Sequence, residues 1–294
     1  MGQCRNRTAA HAAAGIGAHR LIPLLCLLSG AAVWAAQPAA GDLSPAQAQA
    51  LVNRALANEL RAAQDLSHPM RYTLHKVSPH ITSTKLIVET KDGEVARLTS
   101  LFDKPLSTGA EQQEEMRLSA LARNPGQQRH RKQSEDTDLG RALKVLRALP
   151  YAFTYRYEGR AASPSGTVER FTFKPNPNFS APDLETQALT AMSGDILIDA
   201  TSERVARLEG RLDQDVDFGW GILGRLNKGG WIRIDQADVG GNQWRTVHFQ
   251  MAMSGRVIFK TRVFDTTEDE IQFAPVPLGM GYQQAIQMLR DDAK

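Results

Sequence analysis

The first periodic pattern in the chain predicts an amphipathic helix that begins at Ser44-Pro45. Serine is favoured at the N-cap, and proline is favoured at the first helical position. Apolar residues then recur at helical spacing as far as His68-Pro69, at Ala48, Val52, Ala55, Leu56, Leu60, Ala63 and Leu66. A helix with a single apolar stripe needs another layer to cover.

The second layer is predicted to be a sheet, because apolar and polar residues alternate between turn signals over most of the remaining chain. A first group of strands is expected at 70–78, 81–90 and 94–102, with a hairpin turn at Lys91-Asp92-Gly93. Further strands are expected at residues 151–158, 167–174, 194–199, 204–217, 230–236, 243–253 and 256–265. Short turns join these ten or so strands, which favours antiparallel pairing.

Two segments interrupt the strands, and a last helix is expected at 282–290. Residues 108–140 are polar and charged, and we interpret them as a lid or an insertion, either helical across the sheet or a solvated linker. Residues 175–192 contain three prolines and end in a helix-like stretch. The predicted fold class is α+β: a large curved antiparallel sheet, open as a half-barrel, with the N-terminal helix and further helices across its concave face.

Several predicted strands carry large apolar side chains on one face. Every second residue from Tyr151 to Tyr157 is aromatic, so alternation with period two brings these rings together. One or two helices leave part of such a face uncovered, and the surplus must close on itself or enclose an apolar ligand. An ordinary packed core is the alternative. The candidate ligand-binding residues are Tyr151, Phe153, Tyr155, Tyr157, Phe171, Phe173, Phe249, Met251 and Met253.

Residues 1–36 have the three parts of a secretory signal: a basic start, an apolar run and small residues at the exit. We expect cleavage there and export to the periplasm or beyond; a retained membrane anchor is the alternative. The chain has 35 Lys and Arg against 32 Asp and Glu, and three arginines lie in this signal. The remainder is neutral and has no cysteine, since Cys4 and Cys26 also lie in the signal. Neutrality argues against nucleic acid as the partner.

The stretch Gly219–Gly224 matches the G-x-G-x-x-G pattern of dinucleotide sites, but no helix can follow it as such a site requires. We interpret it as an exposed tip whose Trp220, Ile222 and Leu223 contact a membrane surface or a partner protein; a plain hairpin connection is the alternative. No metal-ligand spacing, nucleophile elbow or phosphate loop is found in the sequence. We therefore expect no cofactor, no metal site and no enzymatic activity.

The strand pair Met192–Asp199 and Arg204–Gly210 follows the export signal, the amphipathic helix and the charged interruption. This arrangement resembles the periplasmic lipoprotein-carrier-like superfamily of half-β-barrels, which includes outer-membrane lipoprotein sorting, and is similar to uncharacterised secreted bacterial proteins. The resemblance covers most of residues 44–290 and lies in the architecture, so no family residue is carried over. It implies one half-barrel domain at 37–294 that holds acyl chains between sheet and helices.

The resemblance and the apolar strand faces favour a periplasmic carrier that sequesters a lipid or a lipidated protein. Two alternatives remain. An envelope sensor or scaffold could bind another protein through the same fold, and a hydrolase could assemble its site from residues distant in sequence.

Overall fold

The computed structural model describes residues 43–163, 166–218, 224–257 and 260–292. The predicted signal at 1–36 and the predicted tip residues Trp220, Ile222 and Leu223 lie outside these ranges. The helices are α1 (Pro45–Ala62), α2 (Thr108–Ala122), α3 (Pro125–Ala152), α4 (Leu184–Gln187) and α5 (Tyr282–Asp291), with a 3-10 turn at Ala188–Ala191. The strands are β1 (Met70–Ser78), β2 (Ile81–Val88), β3 (Val95–Leu101), β4 (Lys104–Pro105), β5 (Phe153–Ser163), β6 (Gly166–Pro175), β7 (Met192–Asp199), β8 (Val205–Leu212), β9 (Val216–Phe218), β10 (Gly224–Leu226), β11 (Trp231–Asp238), β12 (Trp244–Val257) and β13 (Lys260–Pro275).

The strands form one open antiparallel sheet in the order β4-β3-β2-β1-β13-β12-β11-β8-β7-β6-β5, and β10 joins β9 to β12. The chain builds two meanders, β1–β4 and β5–β13. The second meander is joined to the first because its last strand pairs with β1. The predicted α+β fold with a large antiparallel half-barrel sheet is confirmed, with thirteen strands rather than ten.

Helix α3 crosses the sheet because β4 and β5, the strands before and after α2 and α3, lie at opposite edges. Its 28 residues span roughly 42 Å at the usual helical rise, which is comparable with the width of a strongly twisted sheet of this size. The polar interruption predicted at 108–140 is therefore helical, formed by α2 and the first half of α3. The solvated-linker alternative is wrong.

Helix α1 begins as the sequence predicts, with Ser44 as N-cap in a capping box with Gln47. Its apolar stripe, including Val52 and Leu56, packs with the end of α3 on the aromatic residues of β5 and β6. We call the sheet surface that carries α1 and α3 the concave face. This cluster is the main core of the molecule.

Helices α2 and α5 pack on the other face of the sheet, around Val88 and Val95. Paired residues in neighbouring strands lie on the same face of a sheet. The register from Phe173 across to β2 therefore puts Ile87 on the concave face and Val88 on the opposite face. Only some of the helices thus lie where the sequence predicted them. The α2 side chains Glu114 and Arg117 also bond to the outer backbone of β3, at Leu98 N and Ala96 O, and so cover this sheet edge.

Three parts of the strand prediction are wrong. The strands predicted at 243–253 and 256–265 are longer and meet later in the chain, because the β12–β13 ladder continues to the pair Val257 and Lys260 and β13 extends to Pro275. The strand predicted from Tyr151 begins at Phe153, because α3 continues past Pro150 with Leu149 and Ala152 buried in the core. The strand predicted at 204–217 is two strands, β8 and β9. The chain turns between them where the Asp215 carboxylate accepts a hydrogen bond from Lys228 N, and the Leu212 backbone pairs with residues 229–230.

Candidate functional site

A cavity of about 640 Å³ lies between the concave face and the helices α1, α3 and α4. Its volume falls within the range of roughly 300–1,000 Å³ that is usual for small-molecule sites. Most of its lining is apolar and comes from helices and strands alike: Leu56, Val145, Leu146, Leu149, Phe153, Phe173, Leu189, Met192, Val205, Leu208, Ile232, Ile234 and Met253. We call this space the apolar cavity.

The apolar cavity exists because the helices cover one part of the concave face better than another. Helix α1 contacts β5 and β8, and α3 contacts β5, so the phenylalanines of β5 and β6, Phe153, Phe171 and Phe173, are buried. The apolar side chains farther along the sheet, Leu208, Ile232 and Ile234, are only half-buried. This uncovered strip of central strands forms the floor of the apolar cavity.

One end of the apolar cavity is polar and is organised by Glu59 of α1. The buried Glu59 carboxylate accepts hydrogen bonds from Arg204 Nε at 2.7 Å, Arg204 Nη2 at 3.0 Å, Val205 N at 2.9 Å and Gln236 Nε2 at 3.1 Å. The Arg204 guanidinium also lies 5.8 Å from the centroid of the Trp244 ring, as a cation–π contact. Charge and hydrogen bonding of this pair are thus satisfied, and α1 is fixed to β8.

Arg245 lies at the same polar end but has few partners. Its Nη2 donates to His68 O at 2.6 Å, and the nearest carboxylate oxygen, Oε2 of Glu89, lies at 3.6 Å. Its Nε is buried and has no hydrogen-bond acceptor among the described residues. The guanidinium therefore has donors that the described part of the chain does not use.

Glu270 of β13 also lines the polar end. Burial, reinforced by the negative charges of Glu94, Glu268 and Glu89, raises the pKa of Glu270 to about 8, and Arg245 opposes this shift. A carboxyl group with such a pKa is mostly neutral at pH 7 and can donate a hydrogen bond. The polar end thus holds a protonated acid beside an arginine.

Glu94 extends this acidic region under α3. Its pKa is raised to about 7 by burial and then by the charges of Glu135 and Glu89. The Tyr72 hydroxyl donates to it at 3.2 Å, and the Glu94 backbone N–H donates to the Glu135 carboxylate of α3 at 3.0 Å. The negative charge of Glu94 in turn contributes to the raised pKa of Glu270.

Three of the nine predicted ligand-binding residues line the apolar cavity: Phe153, Phe173 and Met253. Their role as ligand contacts stays a prediction. Phe249 and Met251 lie on the same face, opposite Ile234 and Ile232 in the register, and are half-buried beside the cavity.

The other four predicted residues do not line the apolar cavity. Phe171 is 1 % exposed and belongs to the packed core, which was the alternative to a ligand-binding role for this strand face. The hydroxyls of Tyr155 and Tyr157 are engaged by Leu149 O and by the Glu169 carboxylate. Tyr151 is 70 % exposed on α3, because it is a helical residue and not part of the alternating strand.

The polar end was not predicted from the sequence. Glu59 had a usable signal, since it lies seven residues after Val52 on the apolar stripe of α1, where an acid needs a buried partner. Ile232 and Ile234 alternate with polar residues and could have been added to the apolar face. Arg245 and Glu270 had no such signal, because their surroundings come from strands and loops distant in sequence.

Two further observations concern the described residues as a whole. Among them, no group of three or more histidine, aspartate or glutamate side chains is arranged to hold a metal ion. None of the helices in the described ranges combines the length and the apolar character needed to cross a bilayer.

Comparison with known proteins gave one similar structure. No protein-family model matches the chain, and no curated protein matches it. A crystal structure of a domain from Vibrio parahaemolyticus, provisionally described as an outer membrane lipoprotein-sorting protein, is similar with 10 % sequence identity and a TM-score of 0.31. The match covers 81 % of this chain and 99 % of that domain. We therefore infer the function from the cavity itself.

Proposed function

We propose that the protein is a periplasmic carrier that sequesters an acyl chain of a lipid or of a lipidated protein. The observation that carries this proposal is the apolar cavity of about 640 Å³, whose lining is mostly apolar and whose floor is formed by half-buried aliphatic side chains. An amphipathic ligand with one long apolar part fits such a lining. The periplasmic location rests on the signal predicted at residues 1–36.

The driving force is transfer of the chain from water to the apolar cavity, which amounts to about 0.8 kcal/mol per buried CH₂ group. The lining side chains of the floor, such as Ile232 and Ile234, gain burial at the same time. The proposed function consists of binding and release without a chemical step.

The proposal is tested by filling the cavity. Ile234→Trp places a larger side chain on the floor of the apolar cavity, and Ile271→Trp is the matched control, since Ile271 is 51 % exposed and does not line the cavity. We expect Ile234→Trp to weaken palmitate binding at least tenfold, as measured by displacement of the neutral fluorophore N-phenylnaphthylamine. Ile271→Trp should bind like the wild type. Equal binding by all three proteins would refute this site.

An envelope sensor or scaffold is the second candidate, and one feature of the sheet favours it. The β3 edge is covered by Glu114 and Arg117 of α2, whereas β5 ends the sheet at the other edge with no strand outside it among the described residues. An edge strand of 11 residues with no strand on its outer side can accept an extended segment of a partner protein. Native mass spectrometry separates the two candidates: a stoichiometric protein partner in place of a lipid would support this one.

A further inference from the structure

The polar end of the apolar cavity holds more polar groups than the fold uses. Burying a polar group without a partner costs free energy, so a purely apolar ligand would be served better by an apolar lining. Glu59 and Arg204 satisfy each other and fix α1 to the sheet. Arg245 and Glu270 do not pair with each other: among the described residues the ion pair of Arg245 is a long one of 3.6 Å to Glu89, and Glu270 has no ion pair of 4.0 Å or less.

Arg245 has the donors that a ligand oxygen would need. A guanidinium carries five N–H groups in a planar fork. The described residues accept one hydrogen bond from it, at His68 O, and its buried Nε has no acceptor among them. The side chain is 23 % exposed and lines the cavity.

Two neighbours complete a polar pocket around this fork. The Thr246 side chain lines the cavity next to Arg245 and pairs with Gln236 in the register. Glu270 lines the same cavity from the middle of the β13–β1 pairing, opposite Leu74, and burial raises the pKa of its carboxyl group to about 8, so that it is mostly neutral at pH 7. A hydroxyl and a neutral carboxyl can both donate to an acceptor oxygen.

We infer that Arg245, Thr246 and Glu270 form a head-group subsite for an acyl chain that ends in carboxylate or carboxylic ester oxygens. This inference rests on the carrier function proposed above. Such a head offers acceptors only, which matches a set of donors. It also fixes the direction of the ligand: the head lies at β12 and β13, and the tail runs towards Phe153 and Phe173 at the apolar end.

The test uses three ligands with the same hydrocarbon chain: palmitate, methyl palmitate and hexadecane. Each competes with N-phenylnaphthylamine for the wild type and for Arg245→Met. Arg233→Met is the control, because Arg233 occupies the other face of β11 and pairs with Asp235. Tighter binding of palmitate than of the methyl ester would identify a free fatty acid as the ligand, and the reverse would identify an esterified acyl chain.

We expect the wild type to bind both oxygen-bearing ligands at least about tenfold tighter than hexadecane, as one hydrogen bond to a charged donor provides. Arg245→Met should remove this preference and leave hexadecane binding unchanged, while Arg233→Met should retain it. Hexadecane binding also reports whether the variant is folded. If Arg245→Met does not fold, Arg245→Lys, which lacks the fork, should reduce the preference by about threefold or more.

Two results would overturn the subsite. The first is equal affinity of the wild type for all three ligands, which would leave the carrier function intact. The second is an equal loss of all three ligands in Arg245→Met, which would show that Arg245 only supports the fold. If no ligand displaces the fluorophore from the wild type, the proposed carrier function itself fails.

Discussion

The bond between Glu59 and Arg204 should be the most sensitive polar contact in the domain. Glu59 is 7 % exposed, and its carboxylate accepts four hydrogen bonds that join α1 to β8 and β11. Glu59→Leu keeps the size of the side chain but leaves Arg204, whose side chain is 13 % exposed, as a buried charge without a counter-ion.

Glu59→Leu should lose a large part of the free energy of unfolding, for two reasons. An uncompensated buried charge in a broken ion pair costs about 3–5 kcal/mol, a substantial part of a total stability of about 5–15 kcal/mol. The Val205 N–H and the Gln236 amide also lose their acceptor. Arg204→Met in the same chain removes the stranded charge, so the double variant should regain most of the loss. We expect a coupling free energy of about 2–3 kcal/mol.

The assay is urea-induced unfolding of the wild type, both single variants and the double variant, followed by circular dichroism. Thermal unfolding should rank the four proteins in the same order, with Tm lowered by roughly 2–4 °C for each kcal/mol of lost stability in a chain of this size. The reasoning is refuted if Glu59→Leu loses less than about 1 kcal/mol. It is equally refuted if the losses of the two single variants simply add in the double variant.

Three further predictions test other parts of the account. Each CH₂ added to a fatty acid should tighten its binding about fourfold until the apolar cavity is full; a flat chain-length series measured by displacement would contradict this. The pKa of Glu270 is raised to about 8 in the folded state, so its neutral form stabilises the fold at low pH, and this stabilisation is lost as pH rises towards about 8. Glu270→Gln should therefore unfold at higher urea than the wild type at about pH 9, by a free energy on the order of a few kcal/mol, and like the wild type at about pH 4; the same difference at both pH values would be inconsistent with this. A Cβ on Gly194 would lie 1.9 Å from Glu209 O, so Gly194→Ala should lower the free energy of unfolding by about 2–4 kcal/mol. Gly159→Ala is the comparison, because Gly159 has no neighbouring atom within 4 Å and a φ of +98°, so this variant should lose stability only through backbone strain. Unchanged urea unfolding of Gly194→Ala would refute the close approach.

The local elements could be predicted from the sequence because each is encoded by a short pattern. The boundaries of β1, Met70–Ser78, are those predicted, and α1 begins at Pro45 after its serine cap. The end of α3 was missed because it is determined by packing against a distant helix and not by a short local pattern. An aromatic residue at every second position from Tyr151 predicts a strand, but burial of Leu149 and Ala152 against α1 keeps the first two residues of that stretch helical.

The site could be predicted only where it depends on one strand at a time. Phe153, Phe173 and Met253 follow from alternation, and they do line the apolar cavity. The polar end depends on pairs that are far apart in the chain: Glu59 and Arg204 are separated by 145 residues. No periodicity in one sequence encodes such a contact, so the arrangement of charge became visible only in the folded structure.

The central claim is that the apolar cavity holds an acyl chain in the cell. Native mass spectrometry of the protein purified from its own envelope tests this claim most directly, with Ile234→Trp purified in parallel. We predict a wild type carrying an acyl-containing ligand, released as fatty acid on hydrolysis, and a variant depleted of it. A ligand-free wild type, or the same ligand in equal amount on Ile234→Trp, would contradict the claim.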